Sequence, residues 1–303
     1  MSRVSHYLLL DKLEIEGANT LSSPITYGFP ATTGFLGAMH ALNRRLADTE
    51  LEFSGVLVAC HECHVQRFRP HTYADYSFNQ SRNPIKKDGK TASIIEEGKV
   101  HLTVSLVIEI SAKPRASREI RDNAEGFTQR CYETLMQQRV AGGSVHKIGE
   151  VQLFEHSEVK EIQRALLPAF VLMDARQDLI SITEVLQQQN PEATELDGLI
   201  EVATLHQEPD SPDALIDQWH SRSVKTGRGW LVPISIGFQG LVAPFSAGEL
   251  EHSRNPEYPS QYVESLYSLG KWVFPQRLPE DFSQCFWRYS QQDNLYLTSQ
   301  VSA

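Results

Sequence analysis

Residues 17–46, GANTLSSPITYGFPATTGFLGAMHALNRRL, decide how the rest of the chain is read. A short apolar strand, Tyr7–Ile15, ends just before them. Small and polar turn residues follow, then two prolines, then an Ala/Leu-rich run. Phe35, Met39, Leu42 and Leu46 recur at steps of three and four, the period of a helix with a buried stripe. Leu36, His40 and Arg44 recur at steps of four on another face. The stretch therefore predicts strand, long polar loop, and a helix packed on a sheet. The loop gathers Asn19, Thr20, Ser22, Ser23 and backbone N–H groups near a helix start, a combination that suits a phosphate. An ordinary loop before a core helix satisfies the same pattern.

Moving outward, Ser54–Val65 (SGVLVACHECHV) reads as a second strand. Its Cys60, His61, Cys63 and His64 invite a zinc reading. Alternate strand residues point to opposite faces, so Cys60 and Cys63 diverge, and His71 is the only further ligand nearby. The expectation is a strand with buried thiols and no metal. Gln66–Glu97 is too polar for core and too long for a hairpin loop. There Phe68, Tyr73, Tyr76 and Phe78 alternate with basic residues, which suits single-stranded nucleic acid: bases stack on rings while cations follow phosphates. Lys87-Asp88-Gly89-Lys90 carries a turn signal. The segment predicts an extended hairpin or arm; a solvated loop packed on a neighbouring protein is the alternative.

Val100–Ile110 is the clearest strand, with Val100, Leu102, Val104, Leu106, Ile108 and Ile110 on one face and His101, Thr103, Ser105 and Glu109 on most of the other. Arg118–Val140 predicts one amphipathic helix, with Ile120, Ala124, Phe127, Cys131 and Leu135 on its stripe. It stops at Ala141-Gly142-Gly143-Ser144, where consecutive glycines also let a backbone lie close to a ligand. Ile148–Phe154 is the next strand. The order is βαββαβ with a decorated middle hairpin, so the fold class expected is α+β, ferredoxin-like. Small RNA-binding modules use that architecture, although fold alone does not give function.

The remainder divides in two. Residues 158–228 read as an acidic helical insertion with helices over Glu158–Leu167, Gln177–Gln189 and Glu195–Gln207, separated by Pro191, Pro209 and Pro212. Residues 229–303 complete the core. Their strand spans Gly229–Leu241, where Pro233 predicts an edge and Gly237 and Gly240 a bend or a close approach. A helix is expected over Gln261–Val273, with Tyr262, Leu266, Leu269 and Val273 on its stripe. Trp272, Trp287, Tyr289 and Tyr296 are expected to cap the core.

Charge is unevenly spread. The net charge is −10. Asp174–Asp217 contains eleven acids and one base, Arg176, and so accounts for all of it. From Val65 to Lys90 six bases face two acids, a local +4 that whole-chain charge conceals. The acidic segment reads as a protein-docking surface that repels RNA, or equally as a solubilising face. At 41% hydrophobic and 22% charged, the 303 residues match an ordinary globular protein. No apolar run approaches the roughly 18 residues of a membrane helix. The first residues carry charges inside their short apolar run, unlike a signal peptide. With four cysteines and no such signal, reduced thiols and a cytoplasmic location are expected.

Four blocks carry a resemblance: NTLSSPITYGFPATTGFLGAMHALNRR, FNQSRNPIKKDGKTASIIEEGKVHLTVSL, RVAGGSV and GWLVPISIGF. Together they resemble the second Csy subunit family of type I-F CRISPR surveillance complexes, in the Cas-five group of the RAMP superfamily. The resemblance covers nearly the whole chain and is weakest over residues 158–228. It implies a ferredoxin-like RNA-binding domain (residues 1–157) with a protruding thumb at 66–97. It implies a non-catalytic role in antiviral defence, capping the complex and gripping the 5′ handle of the CRISPR RNA. It also implies a heterodimer with the large subunit, contact with the first backbone subunit, and target DNA close by. No cofactor is expected.

No G-x-x-x-x-G-K-[ST], G-x-S-x-G or H-E-x-x-H motif is present. The residues expected to contact RNA are Asn19, Ser22 and Ser23 in the first loop, and Arg44 on the helix behind it. Arg82, Asn83, Lys86 and Lys87 join them from the arm, and Arg139, Gly142, Gly143 and Ser144 from the glycine turn. Arg and Lys would neutralise phosphates, Asn and Ser would read base edges or 2′-hydroxyls, and the glycines would admit backbone amides. The rival is a RAMP-type endoribonuclease processing CRISPR precursor RNA with His40, and with His61 or His101 as a second acid–base group. The flanking Met39, Ala41 and Leu42 favour a packed histidine instead.

Overall fold

A computed structural model describes residues 4–46, 50–209, 219–253 and 255–300. Pro212 and the end of the acidic segment at Asp217 lie outside them. The chain forms two compact units: Met1–Ala169 with Phe286–Arg288, and Phe170–Cys285 with Tyr289–Ala303. It is a mixed α+β protein, and the strand pairings described below within each unit are antiparallel.

The first unit runs β1 (Val4–Asn19), α1 (Thr32–Leu46), β2 (Leu51–Val65), β3 (Arg67–Phe68), β4 (Ser77–Arg82), β5 (Ile94–Glu97), β6 (Lys99–Ala112), α2 (Pro114–Asp122), α3 (Ala124–Met136), β7 (Arg139–Val140), β8 (Gly143–Lys147), β9 (Glu150–Glu155) and α4 (Val159–Ala165). β6 lies between β1 and β2, and β8 and β9 pair with the other edge of β1. α1 packs on β2 and α3, and α3 on β8 and β9. On α1, Phe35, Met39 and Leu42 are buried as their spacing predicts.

Towards the Leu8–Leu10 end of β1, side chains on both faces are buried. The second cover comes from far along the chain. Phe286 stacks on Tyr7 with ring centroids 5.3 Å apart, and Val56 and Trp287 exchange backbone hydrogen bonds of 3.0 and 2.9 Å. Towards Asn19 the alternation returns, and Glu14, Glu16 and Asn19 are exposed.

The residues 118–140 form no single helix. α2 begins at Pro114, and Asn123 breaks the run: its side chain accepts the Gly126 N–H as N-cap of α3. A cap residue of this kind ends one helix and starts the next. The arm is a small three-stranded sheet, β3-β4-β5.

The second unit contains β10 (Phe170–Asp174), α5 (Arg176–Gln187), α6 (Glu195–Ala203), β11 (His206–Pro209), β12 (Trp219–Arg222), β13 (Trp230–Gly240), β14 (Val263–Val273), β15 (Arg288–Gln292, whose first residue belongs to the first unit) and β16 (Leu295–Ser299). α6 stops before Gln207, where β11 takes over. Leu179, Ile182, Leu199 and Val202 of α5 and α6 pack on Leu231 and Leu269.

Residues 261–273, expected as a helix, are instead mostly strand. β14 pairs with β13 on one side and β10 on the other. Being bonded on both edges outweighs local periodicity, and Val263 and Trp272 suit strand better than helix. Pro233 sits where β13 pairs with β14, before the β16 pairing begins at Gly237. Gly237 (φ +151°) marks a bulge, and a Cβ there would collide with the Tyr296 carbonyl. Of the expected caps, Trp287 is fully buried whereas Tyr289 is 47% exposed.

Candidate nucleic-acid interface

The glycine turn is a two-residue hairpin. Val140 pairs with Gly143 across Ala141 (φ +48°) and Gly142 (φ +83°), and positive φ at both central residues is the requirement of a type I′ turn. Gly143 is sterically fixed: a Cβ there would lie 2.6 Å from Ile15 Cγ2 and 2.7 Å from the Ala18 nitrogen. The turn meets the first loop, because the Asn19 N–H donates to Ala141 O at 2.9 Å. Asn19 and Gly142 are thus neighbours.

Ser22 and Ser23 are half-buried and turned inward. Their hydroxyls lie 2.7 and 2.6 Å from Thr26 Oγ1, and Ser23 Oγ accepts the Thr26 N–H at 3.0 Å. They shape the loop around Thr26.

A groove of about 460 Å3 runs between the glycine turn and the base of the arm. Arg139, Gly142 and Ser144 line one side; Gln66, Asn79, Gln80, Ser81 and Lys99 line another; Gly17, Glu16, Glu97 and His101 complete it. Its acids have local partners. Ser81 Oγ donates to Glu97 Oε1 at 2.6 Å, Lys99 Nζ stands 3.8 Å from Glu97, and His146 Nε2 is 2.8 Å from Glu16. Arg139 is exposed and has no ion-pair partner among the described residues.

Arg82 and Asn83 are exposed just beyond Ser81, at the end of β4. Lys86 and Lys87 stand at the arm tip, where the Gly89 N–H donates to Lys86 O at 2.9 Å. They do not line the groove. Arg44 does not line it either and is solvent-exposed.

Sequence reasoning missed Asn79, Gln80, Gln66 and Lys99. Their amides and ammonium became candidates only once β4 and β6 were paired into place. In the arm, Arg67 and Arg69 sit 4.2 and 4.7 Å from the Tyr76 ring centroid. Phe78 meets Tyr27 of the first loop edge-on at 5.4 Å. Tyr73 is 95% exposed and open for stacking.

The histidines of the nuclease alternative are each placed. His40 is half-buried; burial, then the Arg44 charge, pushes its pKa below the usual value, so it is neutral at pH 7. His61 Nε2 is 2.8 Å from Ser105 Oγ, which donates to Asp11 Oδ1 at 2.8 Å and accepts the Lys12 N–H at 3.0 Å. The single Ser105 proton goes to Asp11, so the His61 Nε2 carries the donor hydrogen. Burial lowers its pKa as well. His101 Nδ1 accepts the Gly17 N–H at 3.2 Å.

Cys60 and Cys63 lie on β2, but of the two thiols expected to be buried Cys60 is half-buried and the Cys63 residue is exposed, because the far end of β2 leaves the core. Desolvation still raises both thiols, Cys60 to about 12. Among the described residues no three His, Cys, Asp or Glu side chains are grouped to hold a metal ion. No helix there is long and apolar enough to cross a membrane.

The profile of one family, CRISPR-associated protein (Cas_Csy2), matches residues 8–298. The CRISPR-associated protein Csy2 of Pseudomonas aeruginosa (strain UCBPP-PA14) is 33% identical over 296 residues, spanning 89% of this chain and 88% of that protein. With its match running from β1 to β16, the chain belongs to the Csy2 family of CRISPR-associated proteins.

Proposed function

We propose that the chain is a non-catalytic, RNA-gripping subunit of a type I-F CRISPR surveillance complex, holding the 5′ handle of the CRISPR RNA. The observation that carries this reading is the groove where Arg139, Gly142 and Ser144 face Asn79, Gln80, Ser81 and Lys99. A free guanidinium, an exposed glycine backbone and neutral amides are the donor set that single-stranded RNA needs. The +4 arm, with exposed Arg82, Lys86 and Lys87, extends this field. The strand order β2-β6-β1-β9, with α1 and α3 against it, supports a ferredoxin-like reading of the first unit. In the complex the chain would pair with the large subunit and touch the first backbone subunit.

The test is purification of the tagged chain from cells carrying its neighbouring genes, with ultraviolet crosslinking and sequencing of bound RNA. Crosslinks at residues 79–83 and 139–144 to RNAs sharing a repeat-derived 5′ end are expected. Partners arriving without RNA would make the chain a purely structural adaptor. Cleavage of precursor RNA by the chain alone, lost in His40→Ala, would make it an enzyme.

A further inference from the structure

A second hollow, of about 470 Å3, shares Arg139 and Ser144 with the first groove. Its other walls include Ala41 and Arg45 from α1, and Gln137 and Gln138 from the link between α3 and β7. Arg45 and Arg139 therefore line one small concavity. Both are exposed, and neither has an ion-pair partner among the described residues. Arg45 Nη1 donates to a neutral group, Gln137 O, at 3.0 Å. Two guanidiniums without a carboxylate favour an anion between them.

Gln138 adds a second requirement. It is only 8% exposed. Its Nε2 donates to Ala38 O at 3.1 Å, while its Oε1 has no hydrogen-bond partner. A buried acceptor without a donor is costly and calls for an explanation. One small chemical unit offers both an anion and a nearby hydroxyl donor: a ribonucleotide, through its phosphate and 2′-hydroxyl. A deoxyribonucleotide offers only the first.

We propose that this hollow seats one ribonucleotide of the bound strand, its phosphate between Arg45 and Arg139 and its 2′-hydroxyl donating to Gln138 Oε1. The hollow is then where the chain tells RNA from DNA. The proposal rests on the RNA-binding reading above and adds a sugar-specific subsite to it. The Gln138 oxygen is shut off from solvent in the free chain, and this contact requires its side chain to turn towards the strand and give up its bond to Ala38 O.

The experiment reconstitutes the complex with CRISPR RNAs carrying a single 2′-deoxy substitution at each handle position in turn. One position should weaken binding about fivefold, the worth of one neutral hydrogen bond. Gln138→Leu should weaken binding of the all-ribose RNA by a similar factor and lose its sensitivity to that position. Arg45→Ala should lower the slope of log affinity against log salt by about one. If Gln138→Leu does not assemble, the deoxy scan on the unaltered complex and Arg45→Ala still decide. No sensitive position, or an unchanged slope in Arg45→Ala, overturns the proposal. If RNA binding then still depends on Arg139, only this subsite falls; if the complex holds no RNA, both readings fall.

Discussion

The carboxylate of Glu109, wholly buried on β6, is clasped by Arg288, at 2.6 Å through Nη2 and 3.0 Å through Nε. Ser54 Oγ adds a bond at 3.2 Å. Removing one member of a buried pair leaves a charge with no compensation, at a cost of about 3–5 kcal/mol. Arg288→Met should therefore destabilise the chain by about that much in urea unfolding. Burial lifts the Glu109 pKa above its ordinary 4.5, and Arg288 pulls it partly back. Because the folded value is the higher one, the protonated carboxyl favours folding. Its contribution is full below about 4.5 and is lost as pH rises through the folded value. Arg288→Met should extend that loss to higher pH, and adding Glu109→Gln should remove it.

Gly143→Ala should be worse than Gly142→Ala. The first drives a Cβ into Ile15 and the Ala18 backbone, a clash of about 1–3 kcal/mol. The second has 3.7 Å of clearance and loses only the freedom of its φ +83° backbone, about 1 kcal/mol. Thermal melting of both variants checks the order.

Arg139→Ala should weaken RNA binding and lower the salt slope by about one unit. A change in affinity with no change in slope would mean that Arg139 does not meet a phosphate.

His40 is held neutral, first by burial and then by Arg44. A histidine with a depressed folded pKa loses stability as pH falls from 6.5 through that lower value. Arg44→Ala should raise the imidazole pKa in an NMR titration and reduce the acid loss. His40→Ala should leave precursor RNA processing unchanged.

The thiols of Cys60, Cys131 and Cys285 are pushed up to about 12 by burial. Cys63, raised but exposed, should be the first to react with iodoacetamide at pH 8, as read by peptide mass spectrometry.

Much of the first unit was legible because its signals are local. The alternation of Val100–Ile110 and the stripe of Phe35, Met39 and Leu42 each report one element, whereas the glycines expected to stop a helix turn a hairpin instead, the helix having ended at Met136. β14 was not legible. A strand paired on both edges and half-buried along most of its length shows no clean alternation, and Leu266 and Leu269 imitate a helical step by chance. In the candidate site, Gly142 and Arg139 stood out by residue type. Asn79, Gln80 and Gln138 did not, because neutral amides acquire meaning only from what surrounds them. Arg45 was adjacent to the residue chosen, Arg44. One helical step of 100° separates solvent from the hollow wall.

The chain leaves its first unit after Ala169 and returns for only three residues, Phe286–Arg288. Those three supply a ring over Tyr7, a backbone bridge to Val56 and the counter-ion of Glu109. The first unit therefore has its full set of contacts only once residue 288 has been made. A chain cut short by a nonsense codon or a protease before that point would still carry the whole candidate RNA groove on an unfinished scaffold. The fold of the amino-terminal unit is thereby tied to completion of nearly the whole polypeptide.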